Sequence, residues 1–384
     1  MARPNRSRIL PKRIQQIARR SFLRTGSIAI GAAAGSTLAA QSPKRLVDRD
    51  LAEAMGRAEL SMLFKGNSAA EARQWQKEFR KKLESLIGDS SPPAKWTVTV
   101  EDVSKQPDHT RHQLLLEAPG VPSAPVYLLI PKGIKQGEKR PGVLATHGHG
   151  EFGYEPIAGR SDIPGVAENI KRHNYDYGLQ YVRGGYVVVA PCLIPFGRRV
   201  DRKKYGGKDP CAVSFVRMQA LGKLPLTANL RDQRWCLDLL QSRPEVDRDH
   251  IGAVGLSYGG RMTMMVSAID QRIKVASVSG ALNLLQERMT LRHSCGAQMI
   301  PGLLNYGDYS EIGSLIAPRP CVWETGSTDG LIVPKWDEVF RNRLRKIYRA
   351  LGVPDQLHFD QFEGGHVWSG RIAFPLFDKV LKGK

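Results

Sequence analysis

The stretch Val254-Gly255-Leu256-Ser257-Tyr258-Gly259-Gly260 decides the fold of this chain, because it joins two different kinds of segment around one serine. The apolar run 251–254 predicts a buried strand, and residues 261–269 predict a helix. A serine at a sharp strand-to-helix turn has strained backbone geometry, and glycines two residues away on either side allow the close approach that this turn needs. The pattern is therefore interpreted as a nucleophile elbow, with an ordinary Gly/Ser turn as the alternative.

The rest of the chain from about residue 140 alternates between strand and helix patterns, which is typical of a mostly parallel sheet with helices on both faces. The good helix predictions are 230–240, 261–269 and 372–381. Three earlier strands, separated by turn residues, are expected to form an antiparallel edge of the same sheet. The strand predictions are 96–100, 112–117, 126–130, 142–146, 186–190, 251–255, 275–279, 321–325 and 358–362.

The first 95 residues divide into two segments of different composition. Paired arginines open Arg19-Arg20-Ser21-Phe22-Leu23-Arg24, and a Gly/Ala-rich apolar run follows to Ala40. This resembles a bacterial twin-arginine signal, so residues 1–40 are predicted to be an export leader. Residues 41–95 are predicted to be a helical N-terminal extension, because apolar residues recur at helical spacing between residues 46 and 88. Residues 96–384 are predicted to be the catalytic domain.

The charge and cysteine content limit the partners that this chain can have. The net charge is +20, of which +8 lies in the first 40 residues, and no nucleic-acid-binding motif accompanies the basic remainder. No apolar run reaches the ~18 residues of a membrane span, so no stable membrane anchor is expected. None of the five cysteines forms a Cys-x-x-Cys unit, and no metal site is predicted. Cys192 and Cys321 lie in apolar runs and are expected to be buried.

A serine nucleophile needs a base to accept its proton and a carboxylate to orient that base. Asp329, in the polar turn after the strand 321–325, is the predicted acid, and Glu324 within that strand is its rival. His366 follows the last strand and two glycines, which let the backbone carry an imidazole over the sheet edge. His366 is therefore the predicted base.

An oxyanion hole needs two backbone N–H groups that point to one place above the serine. The N–H of Tyr258, at the start of the helix after Ser257, is one predicted donor. The N–H of His149, in His147-Gly148-His149-Gly150 after the strand 142–146, is the other. A metal-ligand role for the two imidazoles has little support, because a pair of histidines two residues apart is by itself weak evidence for a metal site.

With these residues placed, the chain resembles the serine α/β-hydrolases, and more narrowly their dienelactone hydrolase and acetyl xylan esterase-like branch. Arg243-Pro244-Glu245-Val246-Asp247, Ala317-Pro318-Arg319-Pro320 and Glu363-Gly364-Gly365-His366 support the likeness over about residues 120–384. Dienelactone hydrolases have cysteine at the elbow, whereas this chain has Ser257. The resemblance implies an α/β-hydrolase fold, a Ser/Asp/His triad and, as in acetyl xylan esterases, deacetylation of sugars.

The expected function is hydrolysis of a small-molecule or polysaccharide ester by an exported enzyme that needs no cofactor. A peptidase or amidase of the same fold and a non-catalytic carbohydrate-binding protein are the alternatives. Trp368, close to His366, is expected either to stack on a sugar or to pack against the last helix. The segments 150–180, 193–228 and 285–315 are interpreted as insertions around the site, and 193–228 as a substrate-covering segment or a disordered surface loop. The sequence does not indicate the oligomeric state.

Overall fold

A computed structural model describes residues 47–291 and 294–383, and residues 46–384 form one compact unit. The predicted export leader, residues 1–40, lies outside the described residues. Among the described residues, no helix is both long and apolar enough to cross a membrane.

A nine-stranded sheet forms the centre of the molecule, in the order β1-β2-β3-β5-β4-β6-β7-β8-β9. The pairs β1–β2, β2–β3 and β3–β5 are antiparallel, and the five pairs from β5–β4 to β8–β9 are parallel. The predicted sheet with an antiparallel edge is thus confirmed, and each predicted strand is present with slightly different ends. The strands are β1 Thr97–Lys105, β2 His109–Glu117, β3 Ala124–Pro131, β4 Arg140–Thr146, β5 Val187–Pro191, β6 Val246–Leu256, β7 Ile273–Ser279, β8 Cys321–Gly326 and β9 Leu357–Phe362.

Helices cover both faces of the sheet, because successive side chains of its central strands point to opposite faces and both sets are apolar. In β4, Leu144 belongs to one buried cluster, whereas Val143 and Ala145 belong to the other. The helices are α1 Val47–Gly56, α2 Ala69–Ile87, α3 Val166–His173, α4 Tyr177–Arg183, α5 Pro210–Gln219, α6 Pro225–Ser242, α7 Tyr258–Ile269, α8 Leu285–Leu291, α9 Tyr309–Ser314, α10 Pro334–Ala350 and α11 Ala373–Lys382. The first cluster receives side chains from α2, α6, α7, α9 and α10, and the second from α4 and α11.

The N-terminal segment forms two helices instead of one continuous run. Ser68 caps α2 in a capping box with Glu71, which fixes where this helix begins. The buried face of α2 contributes Trp75 and Phe79 to the larger cluster, and the Gln76 amide donates to the carbonyls of Ser314 and Ala317 at 2.9 and 2.8 Å. Through these contacts α2 belongs to the same core as the sheet.

The segment 193–228 is folded, with α5 at its centre. The Asn229 amide on α6 pairs with the backbone of Ile194, accepting from its N–H and donating to its carbonyl, both at 2.8 Å. The buried Asp232 carboxylate on α6 also forms an ion pair with Arg199. Because both anchors are on α6, the segment is held against the sheet-covering helices, and the alternative of an unstructured surface loop is wrong.

Candidate active site

The turn around Ser257 has the backbone geometry that the motif predicts. Ser257 lies between β6 and α7 with φ 64° and ψ −122°, a conformation that a non-glycine residue rarely adopts. A Cβ on Gly255 would lie 2.4 Å from the backbone of Gly259, and one on Gly259 would lie 2.0 Å from the carbonyl oxygen of Thr146. Both flanking positions therefore need glycine, and the turn packs directly on the end of β4.

The loop after β4 lies against this turn. A Cβ on Gly148 would be 3.1 Å from the Ser257 Cβ and 2.8 Å from the Leu256 carbonyl oxygen. The Tyr175 hydroxyl accepts the Gly148 N–H at 2.5 Å, and the Tyr177 hydroxyl donates to the Thr146 carbonyl. Tyr175, between α3 and α4, and Tyr177, the first residue of α4, thus fix the loop beside Ser257.

The two histidines of this loop differ in their surroundings. The buried His147 accepts the Leu193 N–H on Nε2 at 2.9 Å, so its proton is on Nδ1, which donates to the Gly148 carbonyl at 2.7 Å. Burial lowers the pKa of His147 to about 4, so it is neutral and structural. His149 is exposed, and its ring lies 5.1 Å from that of Tyr258 and 5.2 Å from that of Phe196.

The two residues predicted to donate to the oxyanion, His149 and Tyr258, are thus in contact through their side-chain rings. Tyr258 is the first residue of α7, where backbone N–H groups have no partner within the helix. The Tyr258 side chain is fixed, because its hydroxyl accepts from the Asn229 amide at 2.9 Å and donates to the Ala297 carbonyl at 3.2 Å. The structure therefore brings both donor residues to the edge of one cavity.

Asp329 and His366 are in direct contact, as predicted. The His366 Nδ1 lies 2.7 Å from Asp329 Oδ2, and the Leu331 N–H donates to the other carboxylate oxygen at 2.9 Å. The loops that carry them are joined, since the Thr328 N–H donates to the Gly364 carbonyl at 2.8 Å. Asp329 is 5 % exposed, so the carboxylate is oriented in a site largely shielded from solvent.

Glu324, the rival acid, lies elsewhere. Its side chain is fully buried, and its oxygens accept the N–H groups of Gly370 at 3.0 Å and Ser369 at 3.4 Å. Burial, with a further contribution from Asp360, raises the pKa of Glu324 to about 7. Glu324 thus supports the chain after His366, whereas Asp329 contacts the imidazole itself.

Ser257 and His366 share one cavity of about 470 Å³. Gly280 lies between them: the Ser257 N–H donates to the adjacent Ser279 carbonyl at 2.8 Å, and a Cβ on Gly280 would be 2.7 Å from the His366 Cε1. The His366 Nε2 is buried and has no hydrogen-bond partner within the described part of the chain. The imidazole therefore has one nitrogen on the carboxylate and the other available for a proton.

Several residues of this cavity were not singled out from the sequence. Arg261, one helical turn after Ser257, lies 3.6 Å from the centre of the Tyr309 ring and donates to Asn283 Oδ1 at 2.7 Å. Its spacing from Ser257 could have identified it. The remaining lining residues come from separate loops, so no local spacing relates them; they include Asp209, Cys211, Asn283, Cys295, Gln298 and Leu331.

Trp368 is only 1 % exposed and contacts the rings of Tyr177 at 5.4 Å and Phe374 at 5.3 Å. The expectation that it could stack on a sugar is therefore wrong, and its alternative, packing against the last helix, is correct. Cys192 and Cys321 are buried among apolar residues, as predicted.

The model of the Abhydrolase family matches residues 42–363, well over half of the 384-residue chain. The chain belongs to this family. A Bacillus subtilis (strain 168) protein named "Putative hydrolase YtaP" is 31% identical over 293 residues, which are 75% of this chain and 93% of that protein. The predicted resemblance to the α/β-hydrolases is confirmed.

Solved structures share the fold of this family member at low sequence identity. A "putative acetyl xylan esterase" from Bacteroides fragilis NCTC 9343 has a TM-score of 0.68 at 21% identity, covering 82% of this chain and 81% of that one. A glucuronoyl esterase from Solibacter usitatus has a TM-score of 0.61 at 15% identity, covering 84% and 97%.

Proposed function

We propose that this protein is an exported serine hydrolase that cleaves carboxylic esters through a Ser-His-Asp triad. The observation that carries the proposal is the 2.7 Å contact between His366 Nδ1 and Asp329 Oδ2, with the same imidazole and Ser257 lining one cavity. A carboxylate that accepts from Nδ1–H fixes the tautomer in which Nε2 is the base.

In the proposed mechanism, the Ser257 Oγ attacks the ester carbonyl carbon while His366 Nε2 accepts the hydroxyl proton. The N–H groups of Tyr258 and His149 stabilise the oxyanion, and each donor of this kind contributes on the order of 3 kcal/mol in the transition state. His366 then donates its proton to the departing alkoxide, which leaves as an alcohol. Water repeats the sequence on the acyl-enzyme and releases the acid. These steps use only protein groups and water.

The proposed substrate is an acetylated carbohydrate or a similar ester. The cavity of about 470 Å³ is large enough for a sugar unit with its acyl group. The fold neighbours named above are described as acetyl xylan and glucuronoyl esterases, which supports a carbohydrate ester over other acyl substrates.

The test is a comparison of wild type with Ser257→Ala. The wild type should hydrolyse p-nitrophenyl acetate and react with a fluorophosphonate probe, whereas Ser257→Ala should do neither while keeping the wild-type circular dichroism spectrum. Full activity in Ser257→Ala would overturn the proposal. A non-catalytic carbohydrate-binding protein would leave the wild type unlabelled.

A panel of acetyl, feruloyl and longer acyl esters, run beside peptide and amide substrates, separates the esterase from a peptidase or amidase. We expect turnover of acetylated sugars and none of the peptides. Faster cleavage of peptides than of any ester would favour the second enzyme class.

Export is a separate part of the proposal and rests on the sequence Arg19-Arg20-Ser21-Phe22-Leu23-Arg24. Replacing both arginines of the pair by lysine should leave full-length protein in the cytoplasm of a bacterial host with a twin-arginine translocase. Mature protein that still begins at residue 1 outside the cytoplasm would contradict cleavage of a leader.

A further inference from the structure

Three soft donor side chains meet at the wall of the active-site cavity. The imidazole of His149 and the thiols of Cys211 and Cys295 each place a ligand atom within 4.8 Å of the other two. Cys211 lies 62 residues after His149 and 84 residues before Cys295. Three separate segments therefore bring them together.

We propose that His149, Cys211 and Cys295 bind one thiophilic divalent cation of the zinc type, with its fourth coordination position facing the cavity. This departs from the expectation that the chain has no metal site. Zn²⁺ sites that keep one open position have three protein ligands in tetrahedral geometry, and Cys₂His is a known set of this kind. Tetrahedral bonds of the usual length separate two ligand atoms by roughly 3.5–3.8 Å, which lies within the observed 4.8 Å limit.

The chemistry of the donors favours zinc over harder cations. Thiolate and imidazole ligands select Zn²⁺ or Cu⁺, whereas Mg²⁺ and Ca²⁺ need oxygen ligands. Asp209, a carboxylate two residues before Cys211 that also lines the cavity, caps α5 by accepting the N–H groups of Cys211 at 3.2 Å and Ala212 at 3.1 Å. It is therefore engaged in the helix cap, and a water molecule or a substrate oxygen is left to complete the coordination.

The segments that carry the ligands are each held from outside the cluster. Phe196 and Tyr258 flank the His149 ring at 5.2 and 5.1 Å, and Cys211 is in the first turn of α5. The Cys295 Sγ accepts the Ala297 N–H at 3.3 Å, which orients the sulfur. A helix N-terminus and a backbone donor both stabilise a thiolate, the form that binds metal.

Binding of Zn²⁺ would form two Zn–S bonds and one Zn–N bond and release to solvent the protons that the two sulfurs still carry. His149 is in the loop after β4, Cys211 is in the segment 193–228 and Cys295 is in the segment after α8. A cation bound by all three would therefore join these segments at the cavity that Ser257 also lines. Metal binding should therefore raise the melting temperature of the protein.

The experiment is a titration of reduced, chelator-treated, desalted full-length protein with Co²⁺ and then with Zn²⁺. We expect one equivalent of Co²⁺ to displace the protons on the two sulfurs and to produce a thiolate-to-cobalt charge-transfer band, which Zn²⁺ abolishes by replacing Co²⁺ with no further proton release. Cys211→Ser, Cys295→Ser and His149→Ala should each weaken binding by at least about tenfold and lose the rise in melting temperature. Cys236→Ala, which removes a buried thiol on α6 outside the cluster, should keep the band.

Ser257→Ala should also keep the band, so failure of the metal site and failure of the proposed esterase mechanism are distinguishable. Absence of the band in reduced wild type would overturn the metal assignment, as would a band that persists in both Cys→Ser variants. A Cys211–Cys295 disulfide, found by peptide mapping of protein isolated without reductant, would overturn it too, because oxidised sulfurs do not ligate zinc.

Discussion

The candidate active-site cavity has two walls that differ in how they are built. One wall includes residues at the carboxyl ends of the parallel strands, Ser257 after β6 and His366 after β9, and Asp329 after β8 contacts this His366. The other consists of residues from inserted segments, among them Cys211 on α5 and Cys295 before the short helix Gly296–Gln298. The first wall is fixed by the sheet, and the second by contacts between segments distant in sequence.

The difference shows how far the position of a residue relative to a strand end determines the contacts that its side chain makes. Neighbouring parallel strands end at the same sheet edge, so side chains just beyond them converge without any further instruction. Within β8 and its turn, two carboxylates only five residues apart reach different surroundings: Asp329 contacts His366, and Glu324 contacts the backbone of 369–370. Their surroundings differ because Glu324 lies within β8 whereas Asp329 lies beyond its end.

The largest expected effect is on the proposed acid. Asp329→Asn should lower kcat by about 10⁴-fold, because an amide no longer holds the imidazole in the productive tautomer. Glu324→Gln should have kcat close to wild type, since Glu324 accepts backbone N–H groups that a side-chain carbonyl can also accept. Steady-state kinetics on p-nitrophenyl acetate measures both. The opposite ranking of the two variants would assign the acid to Glu324.

A smaller effect is expected where the sheet wall meets the loop after β4. Gly148→Ala would place a Cβ 2.5 Å from the Tyr175 hydroxyl and 3.1 Å from the Ser257 Cβ. Displacing the loop should cost one oxyanion donor, or roughly 10²–10³-fold in kcat. Gly56→Ala is the matched control, because its Cβ would meet only Thr290 at 3.6 Å. Unchanged kcat in Gly148→Ala would remove His149 from the proposed oxyanion hole.

The next prediction concerns stability and pH. Burial raises the pKa of Glu324 from 4.5 to about 7, so between these values the folded protein binds more protons than the unfolded chain. Its contribution to stability is therefore complete below about pH 4.5 and is lost as the pH rises through about 7.

Urea unfolding of wild type and Glu324→Gln at pH 5 and pH 8 measures this contribution. From pH 5 to pH 8 the free energy of unfolding of Glu324→Gln should rise by on the order of 3 kcal/mol relative to that of the wild type, because the glutamine side chain stays neutral. Glu363→Gln, at an exposed position, should follow the wild type. Parallel curves for wild type and Glu324→Gln would contradict the raised pKa.

The smallest expected effect is at Trp368. Trp368→Phe should lower the free energy of unfolding by roughly 1–2 kcal/mol, because a smaller ring leaves part of a buried site unfilled. The KM for sugar esters should not change, since the indole is buried among aromatic rings and not exposed to the cavity. Melting curves and kinetics together test this. A raised KM with unchanged stability would restore a role for Trp368 in substrate binding.

The sequence by itself determined the sheet and its antiparallel edge, and it identified His366 together with two candidate partners, Asp329 and its rival Glu324. Strand periodicity, glycine requirements at a strained turn and chain order are local or sequential properties, and each leaves a pattern in the residues. The sequence also predicted close backbone approaches at Gly255 and Gly259 around Ser257, and the structure leaves no room for a Cβ at either position.

Only the tertiary structure decided the other wall of the cavity, the burial of Trp368 and the choice of Asp329 over Glu324 as the partner of His366. His149, Cys211 and Cys295 have no common spacing, since they meet only when the segment 193–228 packs on α6 through Asn229 and Asp232. Contacts of this kind depend on side-chain packing between distant segments, and such packing has no periodic signature in the chain.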